Sequence, residues 1–160
     1  MYQAVIFDVD GTLLDTEKIY MEAWRRAGAE LGYLVTEDVL LRTRAIPLTD
    51  SKRIFLEALG PDFPYEQACC MRVKISEDLI GHSVDLLKPG VLETLDRLTA
   101  AHIPMAVASS TSREKTISHL RHTGLLPCFS AIVGGDMVER GKPNPDISWK
   151  AADLLNVDRE

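Results

Sequence analysis

The sequence predicts an α/β fold in which a small parallel sheet forms the core and a helical segment is inserted after the first strand. Three short apolar runs, at 4–8, 103–108 and 129–133, have the length and composition of buried strands. Apolar residues at helical spacing lie between the second and third runs and again after the third. Strands that alternate with helices in this way are typical of a parallel sheet with right-handed crossovers.

Length, charge and composition limit the class of protein. The 160 residues fit one domain, or a small core with an insert. The net charge of −6 contains no long run of either sign, which argues against nucleic acid or anionic lipid as a partner. No apolar run approaches the roughly 18 residues of a membrane-spanning helix, and the first residues lack the basic region of a signal peptide. The charge pattern instead favours a small substrate. Three cysteines without a disulfide framework suit a reducing compartment, so the chain is predicted to be cytoplasmic.

A helical insert is predicted after the first strand, because the residues from about 17 to 82 show helical spacing and no strand signal. Glycines at Gly32 and Gly60 follow two of its helices as C-terminal stops. The four predicted helices run to Leu31, from Thr36 or Glu37 to Arg44, from Thr49 or Asp50 to Leu59, and from Pro64 to about Ile80. We therefore predict a core formed by 1–16 and 83–160 and an insert formed by 17–82.

Behind the insert the chain returns to alternating helices and strands. A turn at 88–90 precedes a helix at 91–98, which leads into the strand at 103–108. Ser112 is predicted to cap the N-terminus of the next helix, and Asn144 that of the last helix. The apolar strand at 103–108 thus ends directly in a run of hydroxyl residues.

Two acids at the end of the first strand are the clearest candidates for chemistry. The apolar run Ala4–Phe7 leads directly into Asp8, Val9 and Asp10. In an open parallel sheet, ligands bind at the carboxyl ends of the strands, which favours a functional role for these acids. Asp-x-Asp-Gly is also a common turn composition, so these residues alone leave a simple polar turn open.

Other polar residues are predicted to join the acids. If the three strands are parallel neighbours, Asp8 and Asp10 lie near Ser109 and near the loop that holds Lys142. A carboxylate nucleophile, a proton donor and hydrogen-bond donors for phosphoryl oxygens are the groups that phosphoryl transfer requires. Ser110 is an alternative to Ser109, and an isolated serine or lysine at such positions is more often an ordinary loop residue.

These motifs resemble those of phosphatase-type members of the haloacid dehalogenase superfamily. Asp8–Thr12 matches the first motif, Ser109 the second, and Lys142 within Gly141–Asp146 the third. Leu14–Glu17 at the start of the insert resembles the subgroup that includes beta-phosphoglucomutase and phosphoglycolate phosphatase. The resemblance implies a Rossmann-like parallel sheet core with an inserted four-helix cap.

The resemblance also implies roles for the motif residues. Asp8 would attack phosphorus to form an aspartyl-phosphate, and Asp10 would protonate the leaving alcohol and later activate water. Ser109 and Lys142 would bind the phosphoryl group. Magnesium would be held by the carboxylate of Asp8 and the backbone carbonyl of Asp10, so Mg²⁺ is the expected cofactor.

Weaker assignments concern the phosphate loop and the insert. Backbone N–H groups of the loop with Gly11 and Thr12 are expected to add donors to the phosphoryl oxygens. Arg44 lies where relatives often carry a basic residue that faces the active site, although this chain has Ala45 where they usually have glycine. The alternative is that Arg42 and Arg44 are ordinary solvated charges of a helix.

The implied function is a Mg²⁺-dependent phosphatase of small phosphorylated metabolites. A sugar phosphomutase and a catalytically silent binding or regulatory protein are the alternatives. The family's fourth, acidic motif has no counterpart before Glu160, so we expect a fragment that binds Mg²⁺ weakly and turns over little substrate. The first strand would then be an exposed edge through which the chain could self-associate.

Overall fold

The computed structural model describes residues 2–44, 48–83 and 85–158. The chain divides into two compact units. One comprises Met1–Asp15 and Asp85–Glu160 and is here called the sheet unit; the other, Thr16–Val84, is called the helical unit. The predicted assignment of these units as a core and a cap stays a prediction.

The helical unit contains four helices in its described residues and packs around aromatic side chains. These helices are α1 (Thr16–Glu30), α2 (Glu37–Arg42), α3 (Leu48–Leu59) and α4 (Tyr65–His82). Phe55 is fully buried at the centre of their apolar cluster. Its ring lies 4.3 Å from that of Trp24 and 5.6 Å from that of Phe63, measured between ring centroids. Rings of this size dominate the burial energy of such a unit.

The sheet unit is built on three parallel strands, which confirms the predicted α/β class. The strands are β1 (Val5–Phe7), β2 (Met105–Ala108) and β3 (Ala131–Val133), in the order β1-β2-β3. They are shorter than the predicted runs. All residues of β2 are buried, as expected for the central strand of a parallel sheet. Among the described strands β1 lies at an edge; self-association through it stays a prediction.

Helices cover both faces of this sheet. The remaining helices are α5 (Val91–Ala100), α6 (Arg113–His122) and α7 (Asp146–Leu155), with 3₁₀ turns at Leu126–Cys128 and Gly135–Met137. Met105 and Val107 of β2 pack in the apolar cluster that includes residues of α5 and α6. Ala106 and Ala108 face the opposite side, where they pack with α7. Alternate residues of a strand point to opposite faces, so β2 serves both clusters.

Residues 13–15 and 86–88, which flank the helical unit in the sequence, contact each other within the sheet unit. The N–H of Asp15 donates to the carbonyl of Leu86 at 2.8 Å, and the N–H of Lys88 donates to that of Leu13 at 3.0 Å. The Lys88 ammonium also binds Asp15 Oδ1 at 2.8 Å. The two chain segments that flank the helical unit in the sequence are therefore held side by side within the sheet unit.

The helix starts differ from the predicted ones. Ser112 occupies the N-cap position of α6 but makes no side-chain capping bond, and α7 begins after Pro145 rather than being capped by Asn144. Helix α3 begins at Leu48, so Asp50 lies within its first turn, and the Thr49 side chain lies outside the described residues. Residues 45–47, the predicted stop of the second helix, also lie outside them, and α2 ends at Arg42. Within the described ranges no helix has the length and apolar character needed to cross a bilayer.

The aromatic cluster of the helical unit should dominate its stability. Replacing the fully buried Phe55 with alanine leaves a cavity among three neighbouring rings, so we expect a loss of about 3–5 kcal/mol in the free energy of unfolding. Leu34→Ala, at a residue that is 81% exposed, is the matched control and should change it by less than about 0.5 kcal/mol. Urea unfolding followed by circular dichroism measures both; equal losses would show that the cluster is not the stabilising element.

Candidate active site

A tight loop after β1 presents the two acids. The carbonyl of Val9 accepts hydrogen bonds from the N–H groups of Thr12, Leu13 and Leu14, at 3.2, 3.0 and 3.0 Å. Val9, Leu13 and Leu14 are buried in the apolar cluster, which anchors both sides of the loop. Gly11 has a φ of +77°, in the left-handed region that glycine adopts without a steric penalty. The buried residues thus fix the backbone on which Asp8 and Asp10 stand.

Lys142 lies against the first acid. Its Nζ donates to Asp8 Oδ1 at 2.7 Å and to the carbonyl of Ala108 at 2.9 Å. Ala108 ends β2, so the lysine joins the ends of two strands and the loop that follows β3. Both charged side chains are more than one-third exposed, and such a pair adds only about 0–1 kcal/mol to stability. The structure therefore brings Asp8 and Lys142 together, as the sequence predicted, for little gain in stability.

Thr111 binds the second acid. Its Oγ1 donates to Asp10 Oδ2 at 3.1 Å, and its N–H donates to Ser109 Oγ at 3.1 Å. No sequence pattern had assigned a role to Thr111, although its place in the hydroxyl run after β2 was the available signal. The residue connects Asp10 to Ser109, which are 99 positions apart in the sequence, by two hydrogen bonds.

Ser109 is buried at the end of β2, with 1% of its surface exposed. Its N–H donates to the carbonyl of Val133, which fixes the serine between β2 and β3. The hydroxyl accepts the Thr111 N–H, the local bond expected of an ordinary strand-end serine, and this leaves the hydroxyl proton to donate. Ser110, the alternative to Ser109, is exposed.

The backbone donors predicted in the first loop are used within that loop. The N–H of Gly11 donates to the carbonyl of Leu14 at 2.8 Å, and that of Thr12 to the carbonyl of Val9 at 3.2 Å. In this arrangement both groups stabilise the turn. Their expected contact with phosphoryl oxygens would require the loop to exchange these bonds, and it stays a prediction.

Arg44 lies in the helical unit and forms an ion pair with Glu17. The hydrogen bond to Glu17, together with its negative charge, raises the pKa of the Arg44 guanidinium. Both residues line a pocket of about 240 Å³ within the helical unit, together with Trp24 and Arg72. A substrate role for Arg44 stays a prediction, and Ala45 lies outside the described residues.

The oxygen atoms of Asp8 and Asp10 are the type of ligand that a hard cation such as Mg²⁺ prefers. Lys142 already binds one oxygen of Asp8. In the parts of the chain that the structure describes, no group of three or more His, Cys, Asp or Glu side chains is gathered to hold a metal. Two further acids after β3, Asp136 and Asp146, have partners of their own: Asp136 accepts a hydrogen bond from the first residue of α6, and Asp146 forms an ion pair with Arg140.

The loops after β2 and β3 approach so closely that two glycines are required. A Cβ at Gly134 would lie 2.1 Å from the backbone nitrogen of Arg113, and one at Gly135 would lie 2.4 Å from the carbonyl oxygen of Ser110. Real Cβ atoms do not come this near to backbone. Gly134 and Gly135 therefore allow the loop that leads to Lys142 to lie against the loop that carries Thr111.

Comparison with known proteins shows the family to which the chain belongs. Residues 5–160 match the model of the haloacid dehalogenase-like hydrolases. The chain belongs to this family. Family membership confirms the resemblance expected from the motifs, and the acids, Ser109 and Lys142 lie at the positions of this chain that carried it.

Members of the family with similar sequences and structures are known. A phosphorylated carbohydrates phosphatase of Thermotoga maritima is 36% identical over 97% of this chain, which spans 71% of that relative. A Thermotoga maritima crystal structure, described as a candidate beta-phosphoglucomutase, is 34% identical with a TM-score of 0.81; the match covers 99% of this chain and 73% of that one. CbbY of Rhodobacter sphaeroides, solved in complex with phosphate, is 27% identical with a TM-score of 0.74, over 98% and 74% of the two chains. These structures confirm the Rossmann-like fold.

The close approach of the two loops can be tested at Gly134. Alanine there would place a Cβ against the backbone of Arg113, so we expect Gly134→Ala to lower the free energy of unfolding by about 1–3 kcal/mol. Gly141→Ala, also between β3 and α7, is the matched control, because nothing lies within 4 Å of a Cβ built there. Urea unfolding of both variants measures the difference, and a Gly134→Ala variant as stable as Gly141→Ala would refute the steric argument.

Proposed function

We propose that this chain carries three of the four motifs of a Mg²⁺-dependent phosphatase that acts on small phosphorylated metabolites through an aspartyl-phosphate. The observation that carries the proposal is the contact of Lys142 with Asp8 and the end of β2, at 2.7 and 2.9 Å. In this contact the ammonium group of Lys142 lies beside the carboxylate of Asp8, at the edge of the sheet where Asp10 and Ser109 are also found. Family membership and the phosphatase relative from Thermotoga maritima support it.

In the proposed first step the carboxylate of Asp8 attacks phosphorus, and the bond from phosphorus to the ester oxygen breaks. A carboxylate needs no base to make it a nucleophile. Asp10 gives its proton to the departing alkoxide, which leaves as the alcohol. Lys142 and the Ser109 hydroxyl donate to the phosphoryl oxygens and stabilise the negative charge that they carry.

In the second step water hydrolyses the aspartyl-phosphate. Asp10, now a carboxylate, takes a proton from the water as its oxygen attacks phosphorus. The bond between phosphorus and the Asp8 oxygen breaks, so that inorganic phosphate leaves and Asp8 is regenerated. Asp10 has recovered its proton, and the cycle is balanced.

The magnesium ion is part of the proposal. The carboxylate of Asp8 and the backbone carbonyl of Asp10 would hold it, and it would supply charge neutralisation to the phosphoryl oxygens. The CbbY structure in complex with phosphate supports an anion site in this family, and the substrate of the Thermotoga relative supports a phosphorylated carbohydrate.

A phosphomutase is the second candidate, favoured by the 34% identity to the candidate beta-phosphoglucomutase structure. Such an enzyme returns the phosphoryl group to a sugar hydroxyl instead of to water. Incubation of the full-length protein with sugar phosphates separates the two functions: free phosphate supports a phosphatase, and an isomerised sugar phosphate supports a mutase. Formation of neither product would favour the catalytically silent binding or regulatory protein.

The division of roles between the acids predicts distinct defects. Asp8→Asn should abolish turnover of every substrate, because no nucleophile remains. Asp10→Asn should lower kcat/KM, which reports the steps up to departure of the alcohol, by about 10²–10⁴-fold for an alkyl phosphate and far less for an aryl phosphate with a good leaving group, since only the alkoxide needs a proton. Values of kcat/KM of the full-length protein with glycerol phosphate and 4-nitrophenyl phosphate test this. The exposed Asp96→Asn should behave as the unaltered protein, and an active Asp8→Asn would refute the nucleophile assignment.

Metal removal gives an independent check. In the full-length protein, chelation with EDTA should abolish phosphate release, and added MgCl₂ should restore it, because the phosphoryl charge is otherwise only partly neutralised by Lys142. Added CaCl₂ is the control and should not restore phosphate release, since Ca²⁺ is larger and prefers a different coordination geometry. Full activity after exhaustive chelation would remove the metal from the proposal.

A further inference from the structure

Asp136, in the 3₁₀ turn after β3, reaches across to helix α6. Its Oδ1 accepts a hydrogen bond of 2.8 Å from the N–H of Arg113, the first residue of α6. Ser112 stands at the N-cap position but makes no side-chain capping bond. The helix is thus capped by a residue 23 positions further along the chain. Asp136 is exposed, so packing does not explain its position.

Backbone contacts reinforce the same connection. The N–H of Gly135 donates to the carbonyl of Thr111 at 3.0 Å. The Arg113 side chain returns a bond from its Nε to the carbonyl of Ile132 at 3.3 Å. With the Asp136 contact, these bonds tie the end of β3 to both sides of the Thr111–Arg113 segment.

That segment carries the groups that contact the candidate site. The hydroxyl of Thr111 donates to Asp10, and its N–H donates to Ser109, both at 3.1 Å. Thr111 lies only two residues before the N–H that Asp136 holds. A change in the position of Arg113 is therefore transmitted to Thr111 along two peptide units.

We propose that Asp136 is a positioning residue. By holding the N–H of Arg113 it keeps the Ser109–Thr111 loop in the arrangement in which the Thr111 hydroxyl meets Asp10. The proposal rests on the proposed function in one respect, the proton transfer by Asp10. It follows that Asp136 matters for both proton transfers of Asp10, of which only the donation to the departing alkoxide depends on the leaving group.

Kinetics on two substrates provide the first test. General acid catalysis contributes about 10²–10⁴-fold, so partial loss of the orientation of Asp10 should lower kcat/KM for glycerol phosphate about tenfold in Asp136→Ala. The kcat/KM for 4-nitrophenyl phosphate should stay within about twofold, because kcat/KM reports the steps up to departure of the leaving group and this leaving group needs no proton. Asp136→Asn keeps an oxygen acceptor and should restore most of the loss. Ser112→Ala is the matched control and should change neither rate.

A purely structural role would lower both values of kcat/KM together, and that result would overturn the proposal. So would equal values of kcat/KM in Asp136→Ala and the unaltered protein on both substrates. If the unaltered full-length protein hydrolyses neither substrate, the proposed function fails, and the second test alone decides the role of Asp136.

The second test is independent of activity. In NMR spectra of Asp136→Ala, the Arg113 amide should exchange with solvent at least about tenfold faster, as expected for a locally opened helix end. Three-bond couplings of Thr111 should change from one side-chain rotamer to an average of several. Asp136→Asn and Ser112→Ala should keep the single rotamer. An unchanged Thr111 rotamer in Asp136→Ala would overturn the proposal whatever the kinetics show.

Discussion

The structure depends on the parallel pairing of β2 with both of its neighbours. Val107 lies opposite Phe7 on one side and Ile132 on the other, so all three strands end at the same edge of the sheet. Apolar residues on both faces of β2 hold this pairing through two separate clusters. A register shift of one residue would exchange the faces, so that each of these side chains would lose the cluster into which it packs. The polar loops therefore meet because the buried strand between them has one favourable position.

In the sheet unit, the residues that stabilise the fold differ from those that form the candidate site. The buried apolar side chains supply the burial energy, at about 25 cal/mol per Å². The charged contacts of the candidate site lie between partly exposed groups and add little to stability. Their geometry is maintained by backbone contacts, above all those that Gly134 and Gly135 permit. Such a site can lose a side chain without losing the fold that holds it.

The sequence predicted what is encoded locally. Apolar runs located the strands, and polar residues directly after them identified Asp8, Asp10, Ser109 and Lys142, of which the structure joins Asp8 to Lys142. Thr111 and Asp136 were not predicted, because their partners lie 101 and 23 positions away. Those contacts depend on how closely two loops approach, which no local pattern encodes. The same reason explains Ser112, whose local pattern indicates a cap that Asp136 supplies instead.

The two acids, although separated by a single residue, meet partners with different hydrogen-bonding capacity. An ammonium group such as that of Lys142 can only donate, whereas a hydroxyl such as that of Thr111 can donate or accept. In the proposed cycle Asp8 never carries a proton, so a partner that only donates suits it throughout. Asp10 gains and loses a proton in each turnover, and Thr111 can remain bonded to it in both states by rotating its hydroxyl. The loop that Asp136 holds therefore provides the one kind of partner that a proton-transferring carboxylate can keep.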